Sequence, residues 1–406
     1  MLMNLKKTST PNYLKYLNKK KILRYVREND ERSRADIALA LSISKPTVSS
    51  IVDELIEDGW IEEKDSLVAS SSGGRKPVHL SFSPDSRLIA GVDIGGTYVE
   101  IGILNLNGTI LAKDRFETQP ALKNNIIRKV GDCILKLLGE INRTPEHVMA
   151  VGVGAPGITD TDKGTVLEAP SLGWIDYPLK EAVENELGLP VYIDNDVNVG
   201  VLGEQWKGKA KNADHLILIT LGTGVGCGII VNGSLYRGSS FAAGEIGYMV
   251  TDKNEANEEY DEIFEGYGFL DSHVGGPSIV KRMKKKLEEP DYHGTYDSEN
   301  LSAKTIFQLA KDEDPIATEV IKETVDHIAY ALVNVVCIFN PQCVILGGGI
   351  SKSGGWFLPR VKEVLSRHLP LQTEISVTEL ENVSVIGAGA LCLKEHESLL
   401  KSEGVM

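Results

Sequence analysis

The sequence predicts an α/β protein in two unequal parts: a winged helix-turn-helix over roughly the first 80 residues, then a larger body of repeated strand and glycine-turn units. Three observations carry this: helical periodicity with capping residues before residue 60, two short strands after it, and three glycine turns that each follow an apolar strand farther along.

The chain has 406 residues, 42% apolar and 25% charged. At about 100 to 200 residues per domain this allows two to four folded units and excludes extensive disorder. Cys133, Cys227, Cys337, Cys343 and Cys392 stand far apart, and the opening MLMNLKKTSTPNYLKYLNKKK lacks the apolar centre of a signal peptide. With no apolar run long enough to span a membrane, a soluble protein of the reducing cytoplasm without a membrane partner is expected. The net charge of −14 conceals an asymmetry: residues 1–80 hold 14 basic and 11 acidic side chains, the rest 29 and 46. Eight basic side chains and no acidic one lie within the first 27 residues. They suit an arm that meets phosphates, although a solvated tail would carry the same charges.

Over 14–29, Leu17, Ile22, Leu23 and Val26 share one helical face. A second helix should start at Ser33 as N-cap, with Asp36 three residues on and Ile37, Leu39 and Leu41 as its apolar residues. LSIS (41–44) is a turn, and Ser44 caps a third helix, KPTVSSIVDELIEDG, which tolerates Pro46 in its first turn and stops at Gly59. Val48, Ile51, Val52, Leu55 and Ile56 form its inner stripe; Ser44, Lys45, Thr47, Ser49 and Ser50 put short donors and one cation at its outer N-terminal end. A recognition helix entering a major groove needs that pattern, though a helical hairpin packed on the body would show the same stripe. Trp60 and Ile61 and then LVASSSGGRKPVHLSF read as two strands around a wing tip. Gly74, Arg75 and Lys76, followed by Pro77, resemble an AT-hook, in which arginine enters a narrow minor groove.

In LIAGVDIGGTYVEIGILN, Asp93 closes an apolar run before a turn at Gly95, Gly96 and Thr97; LILITLGTGVGCGIIVNG repeats this with Gly222, Thr223 and Gly224; VILGGGISKSG adds Gly347, Gly348 and Gly349. Such turns expose backbone amides that cradle phosphate, and an adjacent carboxylate can hold a metal ion bridging phosphate oxygens. Any one of them alone would be a plain hairpin. Two strand–turn–strand units about 130 residues apart suggest a duplicated phosphate-binding fold.

DIGGT, GVGAPG, IDNDVN, LGTGVGCGII, AAGEIGY and ILGGGIS follow one another in the order of the ROK family of repressors, open reading frames and kinases, which the chain resembles through nearly its whole length. A winged helix-turn-helix followed by GGRKP resembles the family's repressor branch, as in xylose repressors. The resemblance implies a two-lobed actin-like, ribonuclease-H-like sugar-kinase fold. Its parts would be residues 1–80 as the DNA-binding module with a basic arm and GGRKP linker, 86–200 plus a C-terminal helix at about 385–402 as the first lobe, and 201–384 as the second lobe with a dimer interface. Sugar would lie between the lobes on Asn195, Asp196, Glu245, Tyr248 and Asp271. In a kinase Asp196 would remove the hydroxyl proton, and Asp93, Gly95, Gly96, Thr97, Gly222, Thr223, Gly224 and Gly348 would hold ATP phosphates with magnesium.

Departures from the family pattern weaken a kinase assignment. Tyr248 replaces a histidine that, with three cysteines of CxCGxxGC, binds zinc in relatives; FEGYGFLDSHVGGPSIV has no cysteine, and Phe269 stands at one of the missing positions. No zinc is expected, and His273 reads as a packing or surface histidine. Asp271 replaces a glutamate and Tyr98 a lysine of the kinases. The expected function is a sugar-responsive transcriptional repressor, a homo-oligomer (dimer or dimer of dimers) that binds double-stranded operator DNA and a small sugar effector and requires no cofactor. The alternative is an ATP-dependent sugar kinase that keeps a DNA-binding module.

Overall fold

The computed structural model describes residues 11–65, 78–118, 125–257, 268–288, 301–396 and 398–400. In α1 (Pro11–Glu28), Ile22, Leu23 and Val26 are buried, as periodicity requires. Ser33 caps α2 (Arg34–Leu41) in a reciprocal box with Asp36, and Ser44 Oγ accepts the Thr47 amide to begin α3 (Lys45–Glu57). Leu39 is 84% exposed: two residues after the buried Ile37, it points to the opposite side of the helix. The basic side chains of α1 are partly committed, because Lys15 pairs with Glu54 of α3 and Lys19 with Asp58, the residue that caps that helix.

Strands β1 (Ile61–Asp65) and β2 (Val78–Phe82) pair antiparallel, Ile61 opposite Phe82. The tip between them, including GGRKP, lies outside the described residues. The second described strand of the module, β2, extends to Phe82. The module is seated on the body through one continuous core that joins Leu23, Trp60, Leu80 and Phe82 to Ile89, Leu106, Ala150 and Leu393. Arg27 donates to the Leu106 carbonyl (3.0 Å) and Arg87 stacks 3.9 Å over the Trp60 ring.

The body begins with β3 (Leu88–Ile94), β4 (Tyr98–Asn105), β5 (Ile110–Glu117), α4 (Ile126–Glu140) and β6 (Val148–Ala155). A side ribbon follows, β7 (Ile158–Asp160), β8 (Thr165–Ala169) and β9 (Trp174–Tyr177), then α5 (Leu179–Leu187), β10 (Val191–Asn195) and α6 (Asp196–Lys207). The sheet order is β5-β4-β3-β6-β10, an antiparallel meander with two strands parallel to β3 added.

The second lobe contains β11 (Leu216–Leu221), β12 (Val225–Val231), β13 (Ser234–Leu235), α7 (Lys253–Asn257), α8 (Phe269–Val274), α9 (Gly276–Leu287), α10 (Ala303–Lys311) and α11 (Pro315–Phe339). It ends with β14 (Cys343–Gly347), α12 (Gly348–Ser351), α13 (Gly354–His368) and β15 (Glu374–Val377), after which α14 (Val383–Glu395) returns to the first lobe. Its sheet, β13-β12-β11-β14-β15, repeats the order and strand directions of the first. The duplication suggested by two glycine hairpins is thus a duplication of whole sheets.

Two helices join the halves. The expected boundary at 200–201 falls inside α6, which packs on β6 and β10 of one sheet and β11 and β12 of the other, so no linker exists there. The C-terminal helix runs 383–395 rather than about 385–402, lying on β3, β6 and α6. Small residues permit this close approach: a Cβ at Gly387 would stand 1.6 Å from the Val199 carbonyl oxygen, and one at Gly152 2.0 Å from that of Ala388. Among the described residues no helix is long and apolar enough to cross a membrane.

Candidate functional site

Two regions carry the sequence-predicted residues. On α3, Ser44, Lys45 and Ser50 are exposed and Thr47 and Ser49 half-buried, opposite the buried Val48, Ile51, Val52 and Leu55. Ser44 Oγ lies 2.7 Å from Thr47 Oγ1, which organises the first turn. Gly74, Arg75 and Lys76 lie outside the described residues.

The second region is the junction of the lobes, where β10 runs into α6. Asn195 ends the strand and caps the helix: its Oδ1 accepts the amides of Val197 (2.9 Å) and Asn198 (3.2 Å), and its Nδ2 donates to Gly157 O (2.9 Å). Its side chain also bonds to the Asp196 carboxylate, favouring that group's charged form, and the GAPG turn borders the site. Asp196 is the first residue of α6 and half-buried. Burial pushes its carboxyl up to about 6, with Glu245 adding to the rise and the Val197 amide opposing it. Asp93, at the end of β3, is held well above the usual carboxylate range by burial, then by Asp196 and Glu100. Glu245 is raised by desolvation and by Asp271. The fold therefore gathers Asp93, Asp196, Glu245 and Asp271 into one chain of interacting carboxylates drawn from β3, α6, the loop after β13, and α8.

Asp271 is also engaged by the protein itself. It is 7% exposed, its Oδ1 accepts the Val225 amide (2.7 Å) and its Oδ2 the Gly268 amide (3.0 Å). These bonds tie α8 to the start of β12, and the packing is close enough that a Cβ at Gly247 would meet the carboxylate at 2.3 Å. The side chain thus braces the wall on which Glu245 and Tyr248 sit. Tyr248 is 57% exposed at the end of the turn Ile246–Tyr248.

Sequence reasoning missed the ion pair behind the cap. Asp194, 1% exposed, accepts from Arg237 Nε (2.8 Å) and Nη2 (2.7 Å), and its other oxygen takes the Asn195 amide and Asn198 Nδ2. Arg237 lies 43 residues along the chain in an unremarkable loop, so no spacing rule could have matched the two.

The glycine turns differ in what they leave open. A Cβ at Gly222 or Gly349 would meet nothing within 4 Å, whereas one at Gly348 (φ +83°) would stand 2.4 Å from Leu221 O. Gly348 is required by packing. Gly96 and Thr97 are exposed and Gly95 half-buried, with Gly96 beside Ser171. Thr223 is exposed and Gly224 half-buried. Tyr98 is 40% exposed beneath the Arg115 guanidinium. A zinc site of the cysteine type does not fit these residues: Phe269 is buried, and burial pushes the Cys227 thiol up to about 12.

Residues 89–395 match the ROK family and residues 17–62 the winged helix-turn-helix DNA-binding family. The chain belongs to the ROK family. A xylose repressor of Caldicellulosiruptor bescii is 32% identical over 381 residues, covering 92% of this chain and 94% of the relative. A glucokinase of Halalkalibacterium halodurans is also 32% identical, but the match covers 78% of this chain and 98% of the kinase. A ROK family transcriptional regulator, a homologue of the E. coli MLC protein, superposes with a TM-score of 0.77 at 21% identity over 93% of this chain and 96% of its own, a likeness of fold. The two matches thus differ in extent, the repressor's taking in 92% of this chain and the kinase's 78%, and residues 17–62 match a DNA-binding family.

Proposed function

We propose that Asn195, Asp196 and Glu245 hold the sugar to which this chain responds as a DNA-binding repressor, with Asp271 bracing the site and Tyr248 at its edge. The gathered carboxylates support this most. Their charged forms are disfavoured by burial and by one another, and vicinal hydroxyls of a neutral polyol supply hydrogen-bond donors without adding charge. The similarity to xylose repressors makes xylose the first sugar to test.

The sugar must prefer one arrangement of the lobes, and hence of two DNA-binding modules, since a ligand with equal affinity for both states shifts nothing. In this reading the protein is a cytoplasmic homo-oligomer, dimer or dimer of dimers, joined through the second lobe. Two copies of α3 then enter successive major grooves of an inverted-repeat operator. The shared core and the Arg27 and Arg87 contacts transmit the change. No cofactor is needed for the response.

The test pairs a thermal-shift screen of monosaccharides and their phosphates with operator release by the sugar that binds. Asp196→Ala should abolish release while leaving sugar-free operator affinity unchanged. Release that survives the substitution would place the sugar elsewhere.

Sugar phosphorylation is a second reading, favoured by an Asp196 carboxyl near 6, where a base is effective at neutral pH. The open face at Gly222 and the Asp93–Asp196 carboxylate pair suit a magnesium–nucleotide phosphate group; Asp93, Gly95, Gly96, Thr97, Gly222, Thr223 and Gly224 would hold it. Bound there, it would supply the phosphoryl group. Rapid formation of sugar phosphate by the wild type, stopped by Asp196→Ala, would establish this reading over the first.

A further inference from the structure

Outside the cleft, three side chains that no spacing connects converge in the second lobe: Glu255 of α7, His273 of α8 and His327 of α11. One ligand atom from each lies within 4.8 Å of the others. Glu255 Oε2 stands 2.8 Å from His273 Nε2 and 3.6 Å from His327 Nε2. Tetrahedral zinc with bonds of about 2.0–2.1 Å separates its ligand atoms by about 3.3 Å, so the two observed distances bracket that value.

The opposite ring nitrogens show which atoms face inward. His273 Nδ1 lies 2.7 Å from Phe269 O, a pure acceptor, so this nitrogen carries the proton, and in the neutral ring Nε2 presents a lone pair to a carboxylate oxygen. Two acceptors at 2.8 Å require a proton or a cation between them. His327 Nδ1 lies 2.7 Å from Thr251 Oγ1, a hydroxyl able to accept its proton and leave Nε2 facing inward. A ring nitrogen held from behind is the arrangement that orients metal-binding histidines. Phe269 stacks on His273 at 4.2 Å and meets the His327 ring edge-on at 5.9 Å, holding both planes. Asp252 caps α7 through the Asn254 and Glu255 amides, which sets the direction of Glu255. Arg282 is the nearby cation, and Glu323 balances it at 3.1 Å.

The geometry points to a divalent transition-metal site, His273–His327–Glu255, with zinc the expected occupant and a fourth position open to water. Two imidazoles and one carboxylate select zinc-like ions over magnesium or calcium. His273 and His327 are 13% and 9% exposed at their side chains and Glu255 is 50% exposed, so the open side is the carboxylate's. The site uses neither Tyr248 nor a cysteine, and zinc bound there would run against the expectation that the protein holds none. Filling it would tie α7 and α11 to α8, the helix whose Asp271 braces the cleft.

The test uses the full chain, stripped with chelator and dialysed, then titrated with ZnCl2 by calorimetry and with CoCl2 by visible absorption. One equivalent per chain is expected, with the intense bands of tetrahedral cobalt. Glu255→Gln, at an exposed position that leaves folding intact, and His273→Asn should each weaken binding at least about 100-fold, since losing even an outer-shell partner costs about 10- to 100-fold. Two results would overturn the assignment: no saturable binding, which leaves an imidazolium–carboxylate pair, or binding that both variants leave unchanged, which places the metal on other histidines.

Discussion

Acidification should weaken sugar binding through Asp196. Its carboxyl lies at about 6 because burial and Glu245 disfavour the charge. Sugar hydroxyls donate to the ionised form, so protons compete with sugar. For a pKa of about 6 the carboxylate is mostly ionised at pH 7 and mostly protonated at pH 5, and the apparent Kd should rise about tenfold between them, or about 1.4 kcal/mol. Stability without sugar has the opposite sign. An acid whose folded-state value is raised binds protons more tightly in the folded chain, so its contribution is present below the unfolded value near 3.8 and is lost as pH rises through about 6. Removing the charge with Asp196→Asn should thus stabilise the sugar-free protein at pH 7, by at most about 3 kcal/mol. Calorimetry at several pH values, wild type against Asp196→Asn, measures the first effect, and denaturant unfolding at pH 5 and 7 the second. A wild-type affinity flat between pH 7 and 5, or the same slope in Asp196→Asn, would refute the assignment of the titration to this residue.

Other outcomes follow from the same geometry. Replacing Lys45 and Thr47 with alanine should reduce discrimination between operator and random DNA in gel-shift or anisotropy assays, because base-edge contacts contribute about 1–3 kcal/mol each. Arg75→Ala should weaken binding more on A·T-rich than on G·C-rich flanks if the guanidinium enters a narrow minor groove, and an equal loss on both would indicate a phosphate contact. Arg237→Ala leaves Asp194 buried and unpaired, with an expected loss of about 3–5 kcal/mol in denaturant unfolding that the added change Asp194→Asn partly restores. Gly387→Ala sets a methyl against the Val199 carbonyl and should cost about 3 kcal/mol or more, seen as a lower melting temperature.

Much of the first module was legible in the chain. Ser33, Asp36, Ser44 and Pro46 are local signals whose partners lie within a few residues, and they start α2 and α3 where read. The glycine hairpins were legible for the same reason, since a turn between apolar strands is a short-range pattern. Leu39 shows the limit of such reading: composition marked it as apolar, but helical angle put it in solvent. The extent of the wing and the course of α6 across the lobe boundary also needed the fold, because β-strand partners and the surfaces beneath a helix are not encoded in neighbouring residues.

The sequence by itself determined the order of modules, the caps, the turns and the residue types of the cleft. Tertiary structure alone decided how those residues are employed. Asn195 became a helix cap, and Asp271 accepts the amides of Val225 and Gly268. Asp194 found Arg237, and Glu255, His273 and His327 met across 72 residues of chain. Local structure depends on short-range hydrogen bonds and periodicity that the chain displays directly. Charge pairing, burial and ligand geometry depend on distances across space, and those exist only once the two sheets have packed around α6 and α14.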